Sequence, residues 1–442
     1  METLEHGTSG GPAAAAHGPL LVHLLCADDL TIAPWRRYLT AGERVSIGRG
    51  DAPGAGVRRI ALADPYASGS HTELDGAGGA WRLSDAGSTN GTWLDGRRLG
   101  PGETVVLGDA AMIEVGHTIF WFRATALHVE PGDGQTLCPE WQAQLQAVDR
   151  LARSVHPVLV EGESGVGKEL LARLLHERSG RRGALVSVNC AALPEHLLED
   201  ELFGHVRGAF SGALASREGL IRAAHDGTLF LDEVGDMPAE LQARLLRVLE
   251  DHKVRPVGGE AEISVDVRIV AATHRDLRAR VAEGAFRHDL LARLGLLPVR
   301  IPPLRDRRED LGLLIRALLG PPPNGLDKVQ LEVEALRAIV GHDWPLNVRE
   351  LRSALLSAAD LARDSTGRAR IAVSHLPITL RAAPPAVVAP AVLDPEDQAL
   401  RDQIVQLLAS HRGNVTAVAR ALGKKRTNLQ RLMTRLGIER AG

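Results

Sequence analysis

The stretch VLVEGESGVGKELLARLL (158–175) constrains its surroundings more than any other part of the chain. VLVE reads as a short buried strand and KELLARLL as a helix, and between them Gly162, Gly167 and Lys168 stand at the GxxxxGK spacing. Such a loop lets backbone N–H groups approach phosphate, the helix N-terminus adds the positive end of its dipole, and the lysine reaches the terminal phosphates. This P-loop arrangement requires an α/β domain. The chain uses lysine sparingly, five residues among 52 basic ones, and Lys168 is the only lysine before Lys253. Where arginine supplies nearly all other positive charge, a retained lysine marks a site that needs a compact ammonium. Gly162, Glu163, Ser164, Gly165, Val166, Gly167, Lys168 and Glu169 are therefore the expected contacts of an ATP phosphate chain. Glu169 stands where a hydroxyl ligand of Mg2+ is usual, so the metal must lean on phosphates, water and a second acidic site.

That second site is GTLFLDEVGD (227–236). A strand ending in Asp232 and Glu233 places both carboxylates at the C-terminal edge of the sheet, where open α/β folds bind ligands. Asp232 is the expected Mg2+ ligand, and Glu233 the group that orients or deprotonates the attacking water. A further buried strand, VRIVAATH, delivers Thr273 and His274, which could sense the γ-phosphate. In FRHDLLARL (286–294), Arg287 and Arg293 lie six residues apart. They become arginine fingers if the ATPase assembles as a ring.

The rest of the chain is organised around this domain. Residues 1–18 are Gly, Ala and polar, and are expected to be disordered. From 19 to 126 short apolar runs alternate with Gly, Pro and Asp turns without helical period, which predicts an all-β sandwich. A linker (127–137) precedes alternating strands and helices (138–305), a mostly helical stretch (306–381), a Pro/Ala linker (382–395) and short helices (396–442). Apolar residues at 44% and charged residues at 24% are those of a soluble globular protein. No apolar run reaches membrane length, and three scattered cysteines lack metal-ligand spacing, so a cytoplasmic chain with no membrane partner is expected.

The net charge of -3 hides a basic tail: from His411 onward there are eight Lys or Arg residues and one acidic residue, Glu439. There Ala417–Ala421 and Arg426–Leu436 read as two helices about a Leu422-Gly423 turn. Leu429, Leu432, Met433 and Leu436 share one face. Lys424, Lys425, Arg426, Thr427, Asn428, Arg431 and Arg435 are the expected contacts to double-stranded DNA. In GHVRGAFSGA (204–213), Phe210 has almost nothing large beside it to pack against, which fits an exposed apolar anchor for a partner.

At this point the chain resembles bacterial sigma-54-dependent transcription activators. The matching segments include GESGVGKE, VNCAALPEHLLEDELFGH, GAFSGA, GTLFLDEVGDMP, RPVGG, VRIVAATHRDL, FRHDLLARL, IPPLRDRRED and WPLNVRELR, in the family's order over about 140–360. The resemblance implies an AAA+ ATPase with a helical lid and a C-terminal Fis-type helix-turn-helix, giving a multidomain chain. It implies ATP hydrolysis by a homo-oligomeric ring, expected to be a hexamer, that remodels sigma-54 RNA polymerase holoenzyme from enhancer DNA, which the chain binds as a dimer. Position by position it assigns Asn189 to hold Glu233 off until ATP is seated, Arg287 and Arg293 as fingers from a neighbouring subunit, and Arg349 as the lid's sensor arginine. Gly208, Ala209, Phe210, Ser211, Gly212 and Ala213 become the sigma-54 contact. Ser211 replaces the family's threonine. Leu346 replaces a glycine, which puts a positive φ there in doubt.

Residues 19–126 resemble the forkhead-associated (FHA) fold through Gly48-Arg49, Ser68-Gly69-Ser70-His71 and DAGSTNGTWLDG (85–96). This implies recognition of a threonine-phosphorylated protein, or an associated Ser/Thr kinase, as an input independent of two-component signalling. Arg49 would neutralise phosphate, Ser68 and Thr89 donate hydroxyl hydrogen bonds, and Asn90 hold the ligand backbone, with His71 structural. Gly69 replaces the arginine usual after the loop serine. Two other functions compete: a phosphopeptide-gated DNA-binding repressor with little ATPase activity, and a general AAA+ disassembly factor.

Overall fold

The computed structural model describes residues 17–381, apart from 51–53, 55, 131–135, 297 and 322–324, together with 404, 407, 418 and 422. The Pro/Ala linker, nearly all of the helix-turn-helix and every expected DNA contact in it lie outside the described residues. The described chain divides into two compact units, one built on Gly18–Leu21 and Arg37–Thr125, the other on Val22–Arg36 and Ala126–Arg381.

The expected all-β sandwich has two sheets, their strands drawn mostly from the smaller unit. One sheet orders the strands Val57–Ala61, Arg44–Gly48, Thr72–Asp75, Arg82–Asp85 and Thr104–Val106. A second orders Trp35–Tyr38, His17–Cys26, Thr118–Leu127, Ala110–Val115, Thr92–Leu94 and Arg97–Arg98. Val45, Ile47, Leu74, Leu83, Ile113, Phe120 and Phe122 fill the interior. Short strands rich in Val, Ile and Thr, broken by Gly and Asp turns, close into two facing sheets because each has one apolar face to cover.

The larger unit is built on a five-stranded sheet in the order Leu185–Asn189, Thr228–Asp232, Arg268–Thr273, Val158–Glu161, Pro298–Arg300. All four neighbouring pairs are parallel. Side-chain alternation splits its core into two layers. Val158, Val160 and Phe230 face Trp141, Val148, Leu171 and Leu175, whereas Leu159, Leu229 and Leu231 face the other way, among Leu198, Leu202, Leu241 and Leu245. A parallel sheet covered on both faces needs this near-continuous apolar reading. Helix Ala239–Asp251 buries Leu241, Leu245, Val248 and Leu249, the spacing of one helical face. Beyond Ile301 come helices Leu311–Leu319, Val333–Gly341 and Asn347–Leu361, the expected helical lid. The lid also carries a small parallel pair, Val329–Leu331 with Ala369–Ile371, that no sequence pattern foretells. At three residues each, those strands are too short to show a period.

Candidate functional site

Helix Lys168–Ser179 begins directly after Gly167, with its N-terminus at the end of strand Val158–Glu161. Gly165 shows why the loop must be glycine-rich: its φ is +77°, and a Cβ there would lie 2.3 Å from the Leu346 carbonyl oxygen. Lys168 is 7% exposed, and its Nζ donates to Gly162 O at 3.0 Å and faces Glu233 Oε1 at 3.4 Å. The register pairs Asn189 with Asp232 across adjacent strands. Glu233 follows in a left-handed turn, φ 53°, which aims its carboxylate back across the sheet edge.

Asn189 and Glu233 do not meet in this structure. Asn189 Nδ2 donates to Asp232 Oδ2 at 3.2 Å. Glu233 is held instead by residue 274, whose backbone N–H and ring Nδ1 reach Glu233 Oε2 at 3.2 and 2.6 Å. The cause is the register itself: the residue opposite Asn189 is Asp232, and the left-handed turn carries Glu233 towards the neighbouring strand's end. Thr273 also departs from expectation. It is fully buried, its hydroxyl accepts from Arg275 N–H at 3.0 Å and its carbonyl accepts from Gly162 N–H at 3.2 Å, so it braces the loop rather than facing it.

The two carboxylates are tuned apart. Burial and the adjacent Glu233 push the Asp232 carboxyl up, against the pull of Lys168. Burial also pushes Glu233 up, but the His274 hydrogen bond and the Lys168 ammonium outweigh it and hold Glu233 below the usual range. With both oxygen contacts of residue 274 on Oε2, Oε1 is left on the Lys168 side.

The lid reaches the same loop from about 140 residues further along. Arg305 grips Glu163 in a two-pronged pair at 2.6 and 2.9 Å, and this guanidinium holds the Glu163 carboxyl down to about 2. Arg307 donates to Val166 O at 2.8 Å, and Arg349 to Ser164 Oγ at 2.9 Å. Asn347, fully buried, donates to Glu163 Oε2 and Ser164 O and accepts from Leu304 N–H at 2.7 Å. Arg305, Arg307 and Asn347 lie in the motifs IPPLRDRRED and WPLNVRELR, yet nothing in their spacing pointed to the P-loop. Leu346 adopts φ -99°, so no glycine is needed there; the positive φ values fall on Trp344 and Asn347. Glu169 pairs with Arg173 at 3.7 Å on the helix surface.

These residues fit a magnesium nucleotide. The loop is glycine-rich and ends at a helix N-terminus, Lys168 is a near-buried ammonium, and the acidic pair sits at the sheet's C-terminal edge. Among the described residues no group of three or more His, Cys, Asp or Glu gathers to hold a metal alone. Asp232 would therefore share Mg2+ with phosphate and water oxygens.

Arg287 pairs with Asp289 on the surface at 2.7 Å, and Arg293 lines a cleft with His156, Arg181 and Asp266. The loop 208–213 rises from the antiparallel pair Gly204–His205 and Arg217–Glu218. It closes on itself through Gly208 N–H to Ala213 O at 2.9 Å and Ala213 N–H to Phe210 O at 3.0 Å. Phe210 is 47% exposed, as its small neighbours foretold, and Leu214 beside it is 87% exposed.

In the smaller unit, Arg49 is exposed and its guanidinium lies 3.4 Å from Pro65 O. Ser68 Oγ accepts from Thr89 N–H at 3.0 Å, leaving its own hydrogen to donate, and Asn90 Nδ2 donates to Tyr66 O at 2.8 Å. The three expected loops therefore meet. His71, buried, accepts from Ser68 N–H and faces Gly91 O, the structural part expected of it. Arg59, which sequence reasoning missed, binds Ser46 Oγ, Gly50 O and Gly69 O.

Fold and site together define a P-loop ATPase domain of the AAA+ class with a helical lid, accompanied by an FHA domain. Residues 136–300 match the Sigma-54 interaction domain, 305–391 the AAA+ ATPase lid domain and 45–116 the FHA domain. The response regulator protein PilR of Pseudomonas aeruginosa is 41% identical over 312 residues, covering 68% of this chain and 69% of PilR. The DNA-binding transcriptional activator HyfR of Escherichia coli is 43% identical over 308 residues, covering 66% of this chain; the chain spans 46% of HyfR's length. NtrX from Brucella abortus in complex with ATP superposes with a TM-score of 0.51 at 31% identity over 70% of each chain. The chain belongs to the family of sigma-54-dependent transcriptional activators.

Among the described residues no helix is long and apolar enough to cross a membrane.

Proposed function

We propose that this protein hydrolyses ATP in a homo-oligomeric ring, an expected hexamer, to remodel sigma-54 RNA polymerase holoenzyme bound at a promoter. The observation that carries the reading is the convergence of Lys168, Asp232 and Glu233 at one sheet edge, in a domain that also presents Phe210 to solvent. When bound, Mg2+ supplies charge neutralisation on the phosphates, and Asp232 would hold it. Lys168 places an ammonium at the terminal phosphates. Glu233, anchored at Oε2 by residue 274, offers Oε1 to orient the attacking water and take its proton. Arg349 reports from the lid on the loop through Ser164. Arg287 and Arg293 enter a neighbouring subunit's site and neutralise the charge that builds on the phosphoryl oxygens in the transition state, where phosphoryl transfer gains most from a cation. Phe210 and its loop contact sigma-54, and the basic tail holds enhancer DNA as a dimer.

The FHA domain is the input. Arg49, Ser68, Thr89 and Asn90 bind a phosphothreonine on a partner protein or kinase, and this binding changes ring assembly. The test measures ATP turnover and activation of a sigma-54 promoter by the full chain with and without Lys168→Ala. Loss of both in the variant is expected. Activation that survives Lys168→Ala would refute the mechanism, and promoter repression with undetectable turnover in the wild type would favour the phosphopeptide-gated repressor instead.

A further inference from the structure

His205 closes the motif that precedes the sigma-54 loop and lies outside the nucleotide chemistry. Its side chain is 10% exposed and sits at the junction of four elements. Ring Nδ1 lies 2.5 Å from Asp200 Oδ1 on helix Glu195–Phe203, and Nε2 lies 2.9 Å from the Ala215 carbonyl oxygen on the loop's return limb. The ring meets Phe210 in a T-shaped contact, with centroids 5.0 Å apart and planes at 65°. Its backbone bridges to Val257, flanked by bonds from Val206 N–H to Val257 O and from Val257 N–H to Gly204 O. The next residue on that side, Gly258, has φ +70°, and a Cβ there would lie 2.7 Å from Ala209 Cβ, so the loop's first residues rest directly on backbone.

Both ring nitrogens therefore face acceptors. A neutral imidazole carries one N–H and can make only one of these two bonds; the doubly protonated ring makes both. The charged groups around it are these: Asp200 faces the ring from its helix, Glu218 and Glu260 share its cavity, and the opposing cations there are Arg217 and Arg222. Arg217 is already committed to Asp200 at 3.4 Å and Glu201 at 2.7 Å, and Arg222 to Glu218 at 3.4 Å.

We propose that His205 is the positioning residue of Phe210: a ring braced by two hydrogen bonds between helix Glu195–Phe203 and the loop's return limb, seating the phenylalanine where the partner meets it. The path from the nucleotide is short. Asn189, which touches Asp232, ends the strand that leads into this helix, so a shift at the sheet edge reaches the ring through Asp200. Removing either contact leaves a single brace and loosens Phe210 in its seat. The inference rests on reading 208–213 as the sigma-54 contact.

The test compares full-length wild type with His205→Ala, His205→Asn and His205→Gln, measuring kcat and KM for ATP alongside activation of a sigma-54 promoter per ATP hydrolysed. The Ala variant should keep kcat and KM within about twofold while activation per ATP falls at least about fivefold, with Asn or Gln, which keep one donor, in between. A wild type that turns over ATP but activates no sigma-54 promoter overturns the partner reading itself. With wild-type activation intact, undiminished coupling in the variants, or loss of ATP turnover in parallel with activation, each overturns the role of His205.

Discussion

Replacing Asn347 by alanine tests how the lid holds the P-loop. Asn347 is fully buried, its Oδ1 takes the Leu304 N–H at 2.7 Å, and its Nδ2 serves Glu163 Oε2 and Ser164 O, each at 3.1 Å. Its own backbone is left-handed, φ 56°. Alanine strands the Leu304 N–H in the interior, a cost of about 1–3 kcal/mol for an unsatisfied buried donor. The two acceptors lose less, because Glu163 keeps Arg305. Holding alanine at positive φ adds about 1 kcal/mol. The total is about 2–4 kcal/mol, which for a unit of this size lowers the unfolding midpoint by about 2–4 °C per kcal/mol. Asn347→Gly removes the same hydrogen bonds but accepts positive φ freely, so it should lie about 1 kcal/mol above the alanine variant in stability. Scanning calorimetry of the three full-length proteins reads both differences, and the KM for ATP should rise in both variants as the loop loosens. An alanine variant as stable as wild type, or more stable than the glycine variant, would refute the reasoning.

Two pH effects carry opposite protonation chemistry but the same direction. Glu163 is held down to about 2 by Arg305, so its contribution is whole above its ordinary value of 4.5 and is lost as pH falls from there towards 2; Arg305→Ala should flatten that segment of the stability profile. His23, buried against Trp35 in the ATPase-bearing unit, is pushed down from 6.5 to about 4, first by burial and then by Arg316. The unfolded chain then binds the extra proton more readily, so stability falls as pH drops from 6.5 to 4, by up to about 3 kcal/mol, and His23→Gln should remove that slope in calorimetric titrations. Ser211→Thr restores one methyl per loop, worth about 0.8 kcal/mol of apolar burial against a partner, and should raise sigma-54 activation about threefold to fourfold with unchanged ATP turnover. Lower activation in that variant would show that Ser211 is not the residue meeting the partner.

What the sequence determined by itself is what short stretches can encode. VLVEGESGVGKELLARLL specifies strand, loop and helix within 18 residues, because a buried apolar run, a glycine loop and a helical face are each local patterns. The same holds for the β alternation of the smaller unit and for the exposure of Phe210 among residues too small to cover it. The division of labour around the acidic pair was decided only by tertiary structure. Asn189 belongs to Asp232 because parallel pairing sets those two opposite each other, and Glu233 belongs to His274 because a left-handed turn points it across the sheet. The lid's hold on the P-loop joins residues 141 to 185 positions apart. No periodicity spans such distances. Those contacts exist because folding brings two separately legible segments to one surface, where a buried amide and a guanidinium find the carboxylate and carbonyls that their geometry allows them to reach.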